Sequence, residues 1–504
     1  MQQVFLSQLV ICVLASGAWA FRAAVFEHVQ LGSPATEARS EVVAKNLAAY
    51  EEAAKQAAVE KADMIVFPED GIMFSFSKWA DVNTTAEDVP DAGAVPCVDK
   101  KDHLPVLTNL SCMAKENQMY VVANLIDKKP CTRQPCPEKT VFYNTNVAFD
   151  RNGTLVSRYH KNHPFVEPCT RQPCPEKTVF YNTNVAFDRN GTLVSRYHKN
   201  HLFVEPFMSS PDPPEFAVFE TDFGVRAGMF ICFDVLFREA SELVTHHNVT
   251  LAISSTWWFD ELPSLYAVAE QQAWSLRHGV PLLAANIQKK PVGSLGSGIY
   301  AGIRGPLNYT YSPDGKAKLL VASLDETPVN PRYHGDEIAP PKRVHLNLKN
   351  RPYIRLALWN PSGKYQVCHG NFCCRARFET DMIRDQFYLF AFDGHDHIQN
   401  RWALRVQKCI VAVCKKPELK ECLEFGTRSS TVFTKFSLEA QFRTAEVFPL
   451  LASTELELTP KRHWKVETTT GNYTTLTMDE GNPSRKPLLY ATLTARLYDE
   501  DRTL

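Results

Sequence analysis

Residues 228–237 read GMFICFDVLF, and the fold turns on how that stretch is read. An apolar run without alternation fits a strand covered on both faces, as in a parallel sheet between layers of helices. The strand is expected over 226–233, and similar short apolar runs recur at 64–67 (MIVF), 119–125 and 251–255. Between them lie helical patterns. Residues 36–62 keep Val42, Val43, Leu47, Tyr50 and Ala54 in one stripe beside charged residues, and 264–278 reads as a helix before a strand at 281–286. With a first strand at 22–29, this alternation predicts an α/β layered domain reaching to about residue 325.

The chain has 504 residues, enough for two domains, and a formal charge of −1 that gives no reason to expect nucleic acid as a partner. Residues 326–343 carry four prolines and few apolar side chains, which suits a linker. Beyond it, strand-like segments at 353–359, 386–392, 402–406, 429–436 and 488–498 accompany Cys368, Cys373, Cys374, Cys409, Cys414 and Cys422. This combination predicts a β-rich, disulfide-containing second domain over 344–504.

Residues 1–20, MQQVFLSQLVICVLASGAWA, read as a signal peptide: 9–15 is apolar and Ala18-Trp19-Ala20 has the small-x-small form of a cleavage site. Seven N-x-S/T sequons, at Asn83, Asn109, Asn152, Asn190, Asn248, Asn308 and Asn472, agree with a secreted glycoprotein. Of the 14 cysteines, setting aside Cys12 and Cys232 leaves a number that can pair completely. No other stretch is apolar enough to span a bilayer, and the charged end LTARLYDEDRTL lacks a lipid-anchor tail.

Pro130–Pro168 is repeated at 168–206 with one difference, Leu202 standing where the first copy has Pro164. Each copy holds TVFYNTNVAFD and TLVSRYHK around Arg-Asn-Gly, the signature of one β-hairpin. Such near-identity points to a recent duplication or an error in assembling the sequence, not to a solenoid. The repeat carries RYHKNH, so Lys161 and Lys199 are equivalent by sequence. Together with Glu69 in DMIVFPEDGI and Cys232, they place three reactive residue types at the ends of strand-like runs, where a buried sheet fixes the backbone beside a cleft. Taken singly, each has an ordinary reading: a core cysteine, a loop carboxylate, a solvated lysine.

Taken together, in order, these pieces resemble the Glu–Lys–Cys triad of the nitrilase (carbon–nitrogen hydrolase) superfamily. The chain is similar in particular to its vanin and biotinidase branch. Gly228, Ile231-Cys232-Phe233-Asp234, Phe237, Leu262-Pro263, Ala285-Asn286 and Gly296-Ser297-Gly298-Ile299-Tyr300 carry the likeness. So do GNFCC at 370–374, Ala391-Phe392-Asp393-Gly394 and the Cys409/Cys414/Cys422 spacing. The resemblance implies an α-β-β-α sandwich followed by the smaller β-rich domain. It implies Cys232 as nucleophile, Glu69 as general base and a lysine stabilising the oxyanion, with no metal or organic cofactor. Lys199 is preferred for that lysine, with Lys161 as the duplicate candidate and the first copy looped out, because Lys199 is joined to Cys232 by one uninterrupted copy. Glu205 (Glu167 in the first copy), Trp257, Trp258 and Phe259 are candidate pocket residues, against the plainer reading of a surface carboxylate and core aromatics.

Two motifs are set aside. His395 and His397 have H-x-H spacing beside Asp393 and Asp396, but neighbours along a strand face opposite ways, so Asp396 cannot join the histidines. The glycines of GSLGSGIYAG lack the Lys-Ser/Thr of a phosphate loop. The resulting expectation is a secreted thiol amidase acting on a small vitamin conjugate: pantetheine, or alternatively biocytin and biotinyl amides. An inactive secreted glycoprotein, its site disturbed by the extra hairpin, is the competing reading.

Overall fold

The computed structural model describes residues 21–72, 86–90, 94–99, 104–130, 140–161, 183–187, 193–198, 203, 216–326, 332–334, 344–345, 353–358, 360–398, 401–415, 422, 424–479 and 486–504. Its first part is built on two sheets. One holds β1 (Arg22–Glu27), β2 (Met64–Val66), β3 (Tyr120–Pro130), β4 (Thr140–Phe149), β5 (Leu155–Lys161), β6 (Thr183–Phe187), β7 (Leu193–His198) and, antiparallel against β1, a late strand at Lys318–Ser323. Strands β1, β2 and β3 run parallel in that order. The other contains β8 (Ala217–Glu220), β9 (Arg226–Ile231), β10 (Leu251–Ser255), β11 (Pro281–Ala285), β12 (Ser297–Ala301) and β13 (Pro306–Thr310), with β9, β10 and β11 parallel.

Alternation along the strands explains the layers. Ala23 and Val25 of β1, Met64 and Val66 of β2, and Tyr120 and Val122 of β3 belong to one apolar cluster with Met229, Ile231 and Ile253 of the second sheet. Their neighbours Ala24, Phe26, Ile65, Phe67, Val121 and Ala123 face the opposite way, into a cluster with Leu47, Tyr50 and Ala54 of α1 (Arg39–Val59) and Leu107, Leu110 and Ala114 of α2 (Pro105–Asn117). Two inner sheets with helices outside make the sandwich that both-face-buried strands require. On the second sheet, α3 (Arg238–Thr245) and α4 (Ala267–His278) pack against the same continuous core. The cores of β1, β2, α1 and β9 were legible from periodicity, whereas α2 and α3 were not anticipated.

The repeat forms consecutive hairpins in one sheet. The first copy supplies β4 and β5, and β4 pairs with β3 along its whole length. The second supplies β6 and β7, which extend the sheet beyond β5. The expectation that the first copy is looped out is therefore corrected: Val147, Ala148, Phe149 and Leu155 are fully buried. A strand whose alternate residues meet both the helices and the inner core has no reason to leave the sheet.

Within the stretch read as a linker, Arg332–His334 pairs in parallel with β13, and Val344–His345 pairs with Glu261–Leu262. The following part is β-rich, with a sheet built around the long hairpin Phe387–Ile398 and Trp402–Val413 and the strand Leu488–Arg496 beside it. A five-stranded sheet packs next to it. Disulfides Cys368–Cys373, Cys374–Cys409 and Cys414–Cys422 lie here, and Cys97–Cys112 ties the helical layer of the first part. Cys131, Cys136, Cys169 and Cys174 lie outside the described residues. No helix among the described residues is long and apolar enough to cross a membrane. Of the sequons, Asn109, Asn152 and Asn248 are exposed, but Asn308 is 3% exposed within β13 and its Nδ2 donates to Val321 O at 3.1 Å. A glycan has no room there.

Candidate active site

Glu69 and Cys232 follow the C-terminal ends of β2 and β9, one on each sheet, and both are buried. They converge on the backbone of Trp257, just beyond β10. Trp257 N donates to Glu69 Oε2 at 3.3 Å, and Cys232 Sγ donates to Trp257 O at 3.5 Å. Two residues distant in sequence thus meet at one place because three parallel strands end at one edge of the sandwich.

The local geometry at Cys232 is unusual. It has φ +50° and opens a 3-10 turn, Cys232–Leu236. Left-handed backbone at a non-glycine residue is strained and persists only where its surroundings hold it. Asp234 helps by accepting Ile231 N on Oδ2 at 3.0 Å, while Phe237 N closes the turn on Asp234 O at 2.9 Å. Behind β9, Gly228 lets the strand approach its neighbours, since a Cβ there would lie 2.7 Å from Val249 Cγ2. Cys232 is the free cysteine among the described residues.

Glu69 sits in a turn that is equally well braced. Asp70, at φ +55°, donates its N–H to Asn124 Oδ1 at 2.9 Å and accepts Gln30 Nε2 on its carbonyl at 2.7 Å. A side chain at Gly71 would collide with Tyr50, its Cβ falling 1.9 Å from the hydroxyl. Tyr50 itself stacks on Phe67 at 4.0 Å, and Ser255 Oγ donates to Phe67 O at 2.8 Å, joining the two sheets beside the carboxylate.

The aromatic candidates divide. Trp257 and Phe259 lie 5.6 Å apart, and Phe203 bridges Phe259 (5.9 Å) and Phe233 (5.2 Å), beside Cys232. Trp258 turns inward: its N–H donates to Asn286 Oδ1 at 2.9 Å, its Nε1 donates to Leu265 O at 2.8 Å, and it joins the core. Lys289, not anticipated from the sequence, holds Nζ 5.1 Å from the Trp257 ring centroid, and burial pushes its pKa down. The Lys289-Lys290 pair, a few residues beyond β11, is the signal that points to it. Lys161 is the last residue of β5, its backbone paired with Asn144. His160 pairs in parallel with His198, the last residue of β7, so the two RYH segments end side by side. Lys199 and Glu205 lie outside the described residues.

Two other buried acids have their own partners or surroundings, Glu27 at the end of β1 on the same edge and Glu270 on α4. Glu27, pushed up to about 7 by burial, accepts bonds from Gln288 Nε2 (3.1 Å), Gly296 N (2.7 Å) and Ser297 Oγ (3.2 Å). Glu270, pushed up to about 8 by burial, lines a cavity of about 50 Å³ between α4 and the second part. His395 Nε2 meets Glu500 O at 3.0 Å while Asp396 pairs with Lys408 in the core, and no metal-binding cluster occurs among the described residues.

The carbon–nitrogen hydrolase profile matches residues 23–177 and again 169–293, its two passes overlapping at the seam of the repeat. The chain belongs to the carbon–nitrogen hydrolase family. A Vanin C-terminal domain profile matches residues 342–501. Pantetheinase of Canis lupus familiaris is 34% identical, covering 99% of this chain and 93% of its own length, and human pantetheinase is 33% identical over 95% and 90%. Biotinidase of Takifugu rubripes is 30% identical over 86% and 87%. An amidase from Nesterenkonia sp. superposes at a TM-score of 0.38 and 15% identity, covering 60% of this chain and 90% of that one, a likeness too loose to bear on the site. This member of the family is a hydrolase of carbon–nitrogen bonds in amides, of the vanin type, with an α/β sandwich followed by a β-rich domain.

Proposed function

We propose that this hydrolase cleaves pantetheine to pantothenate and cysteamine through a thioester on Cys232. The observation that carries the reading is the meeting of Cys232 and Glu69 on the backbone of Trp257. Glu69 takes the thiol proton as the sulfur attacks the amide carbonyl. The oxyanion is stabilised by a lysine ammonium and by backbone N–H groups at the Cys232 turn. Collapse expels cysteamine, protonated by Glu69, and leaves the acyl group on sulfur. Glu69 then draws a proton from water, which attacks the thioester, releases pantothenate and returns the thiol. No metal or organic cofactor enters these steps.

Lys199 supplies the ammonium in this reading, and Lys161 is its duplicate. The anchoring of Phe203 on Phe233 supports the choice, because Lys199 lies only four residues before Phe203, within about 14 Å of chain. Trp257 and Phe259 form an apolar wall suited to the pantetheine arm, and Glu205 is kept as a candidate pocket carboxylate. The chain divides into a signal peptide at 1–20, a catalytic domain at 21–325, a linker at 326–343 and the β-rich domain at 344–504. It is exported as a glycoprotein, a reading that four disulfides among the described residues favour.

The test is to supply purified protein with pantetheine and with biocytin. Release of cysteamine with little or no lysine release is expected. The reverse preference sinks the pantetheine assignment and leaves a biotinidase, and turnover of neither favours the inactive glycoprotein.

A further inference from the structure

The β-rich domain touches the catalytic domain at the turn that carries Cys232. Arg496, at the end of the strand Leu488–Arg496, is 5% exposed, and its Nε donates to Leu236 O at 3.0 Å. Leu236 is the last residue of the turn that Cys232 opens. Both other guanidinium nitrogens are engaged on the other side. Nη1 donates to Arg405 O at 2.8 Å and to Asp501 Oδ1 at 3.0 Å, and Nη2 donates to Asp501 Oδ2 at 2.6 Å. Tyr498 lies beneath it at 4.8 Å, and its hydroxyl meets Ser241 Oγ of α3 at 3.2 Å. Arg238, at the start of α3, pairs with Asp499. Residues 496–501 therefore grip the turn and the helix that follow the cysteine at three points.

We propose that Arg496 is a positioning residue for the nucleophile. By fixing the Leu236 carbonyl it holds closed the far end of a turn whose near end is the strained Cys232, and Asp501 fixes the arginine in its turn. The β-rich domain is then part of the catalytic apparatus. A planar, five-donor guanidinium can bond Leu236 O, Arg405 O and both oxygens of Asp501 at once, which a lysine ammonium at the same place cannot. The proposal rests on Cys232 being the nucleophile and adds what keeps it in place.

The experiment uses the full chain with Arg496→Lys, Asp501→Asn and Cys232→Ala. It measures kcat and KM on pantetheine, the rate at which iodoacetamide alkylates Cys232 across pH, and thermal melting. Displacing the sulfur by a fraction of an ångström to an ångström is expected to lower kcat by about 100-fold in Arg496→Lys, with KM little changed. Asp501→Asn, which keeps the arginine and frees it, falls between that variant and wild type. The alkylation rate of the folded fraction and its pH profile shift with kcat in both variants, whereas unfolding alone only adds a fraction that alkylates as an exposed thiol. Normal kcat and normal alkylation in folded Arg496→Lys overturn the proposal, as does a loss that only follows the fraction unfolded in both variants. Turnover retained by Cys232→Ala is a separate outcome: it removes the nucleophile assignment, and the positioning role falls with it.

Discussion

The two copies of the repeat have almost the same sequence and different surroundings. In the first, β4 lies against β3 and its residues Val147–Phe149 are sealed between helices and the inner core. In the second, the same residues form β6, three strands from β3 and next to the strand that ends the sheet. A strand's contribution is set by what it packs against, so identical hairpins need not be equivalent in stability or in catalysis. The structure assigns the structural work of anchoring the sheet to the first copy. The proposed mechanism assigns the chemistry to the lysine of the second.

The largest expected effect separates the two lysines. Lys199→Ala loses about 100- to 1000-fold in kcat, the range for removing one oxyanion donor, while Lys161→Ala turns over near the wild-type rate. Steady-state kinetics on both variants reads this, and a collapse in Lys161→Ala alone reverses the assignment. Next comes stability. Phe149→Ala empties a fully buried site and is expected to cost about 3–5 kcal/mol, while Phe187→Ala, its counterpart in the second copy, costs less, as read by chemical denaturation. Equal losses would show the copies to be equally integrated. A third variant deletes residues 131–168 and leaves a single copy. The remaining hairpin is expected to pair with β3 and preserve activity, whereas an inactive, folded protein would mean that both copies are needed.

The smallest effect fixes the conditions for these comparisons. Burial raises the pKa of Glu270 to about 8 in the folded chain, above its ordinary value of 4.5. The folded state therefore holds the proton more tightly, and this contribution to stability is complete below pH 4.5 and lost as pH rises through about 8. Melting temperatures followed from pH 5 to 8 should fall less steeply in Glu270→Gln than in wild type. Identical slopes would place the carboxyl in contact with water.

Much of this architecture was legible in the sequence. MIVF at 64–67 and the run before Cys232 are apolar on both faces, which fits strands covered on both sides, and their alternation with helical patterns points to a parallel sheet. What escaped had no side-chain signature. Glu69 and Cys232 are joined through backbone atoms of Trp257, and a main-chain N–H or carbonyl looks the same at every residue. The left-handed turn at Cys232 arises from its surroundings, and nothing in ICFDVL marks it. Arg496 reaches Leu236 across most of the chain, so no local pattern could link them. Trp257-Trp258-Phe259 read as one aromatic patch, yet the polar anchors at Asn286 and Leu265 draw Trp258 inward. Between Lys161 and Lys199 the local motif is the same, so the sequence favoured Lys199 only through its position, one uninterrupted copy before Cys232.

The central claim is that acyl transfer runs through Cys232. Protein quenched in acid during turnover of pantetheine and weighed intact tests it most directly. A species heavier by one pantothenoyl group, mapped to Cys232 and absent from Cys232→Ala, is the expected result. Turnover in Cys232→Ala, or an acyl adduct on another residue, would contradict it.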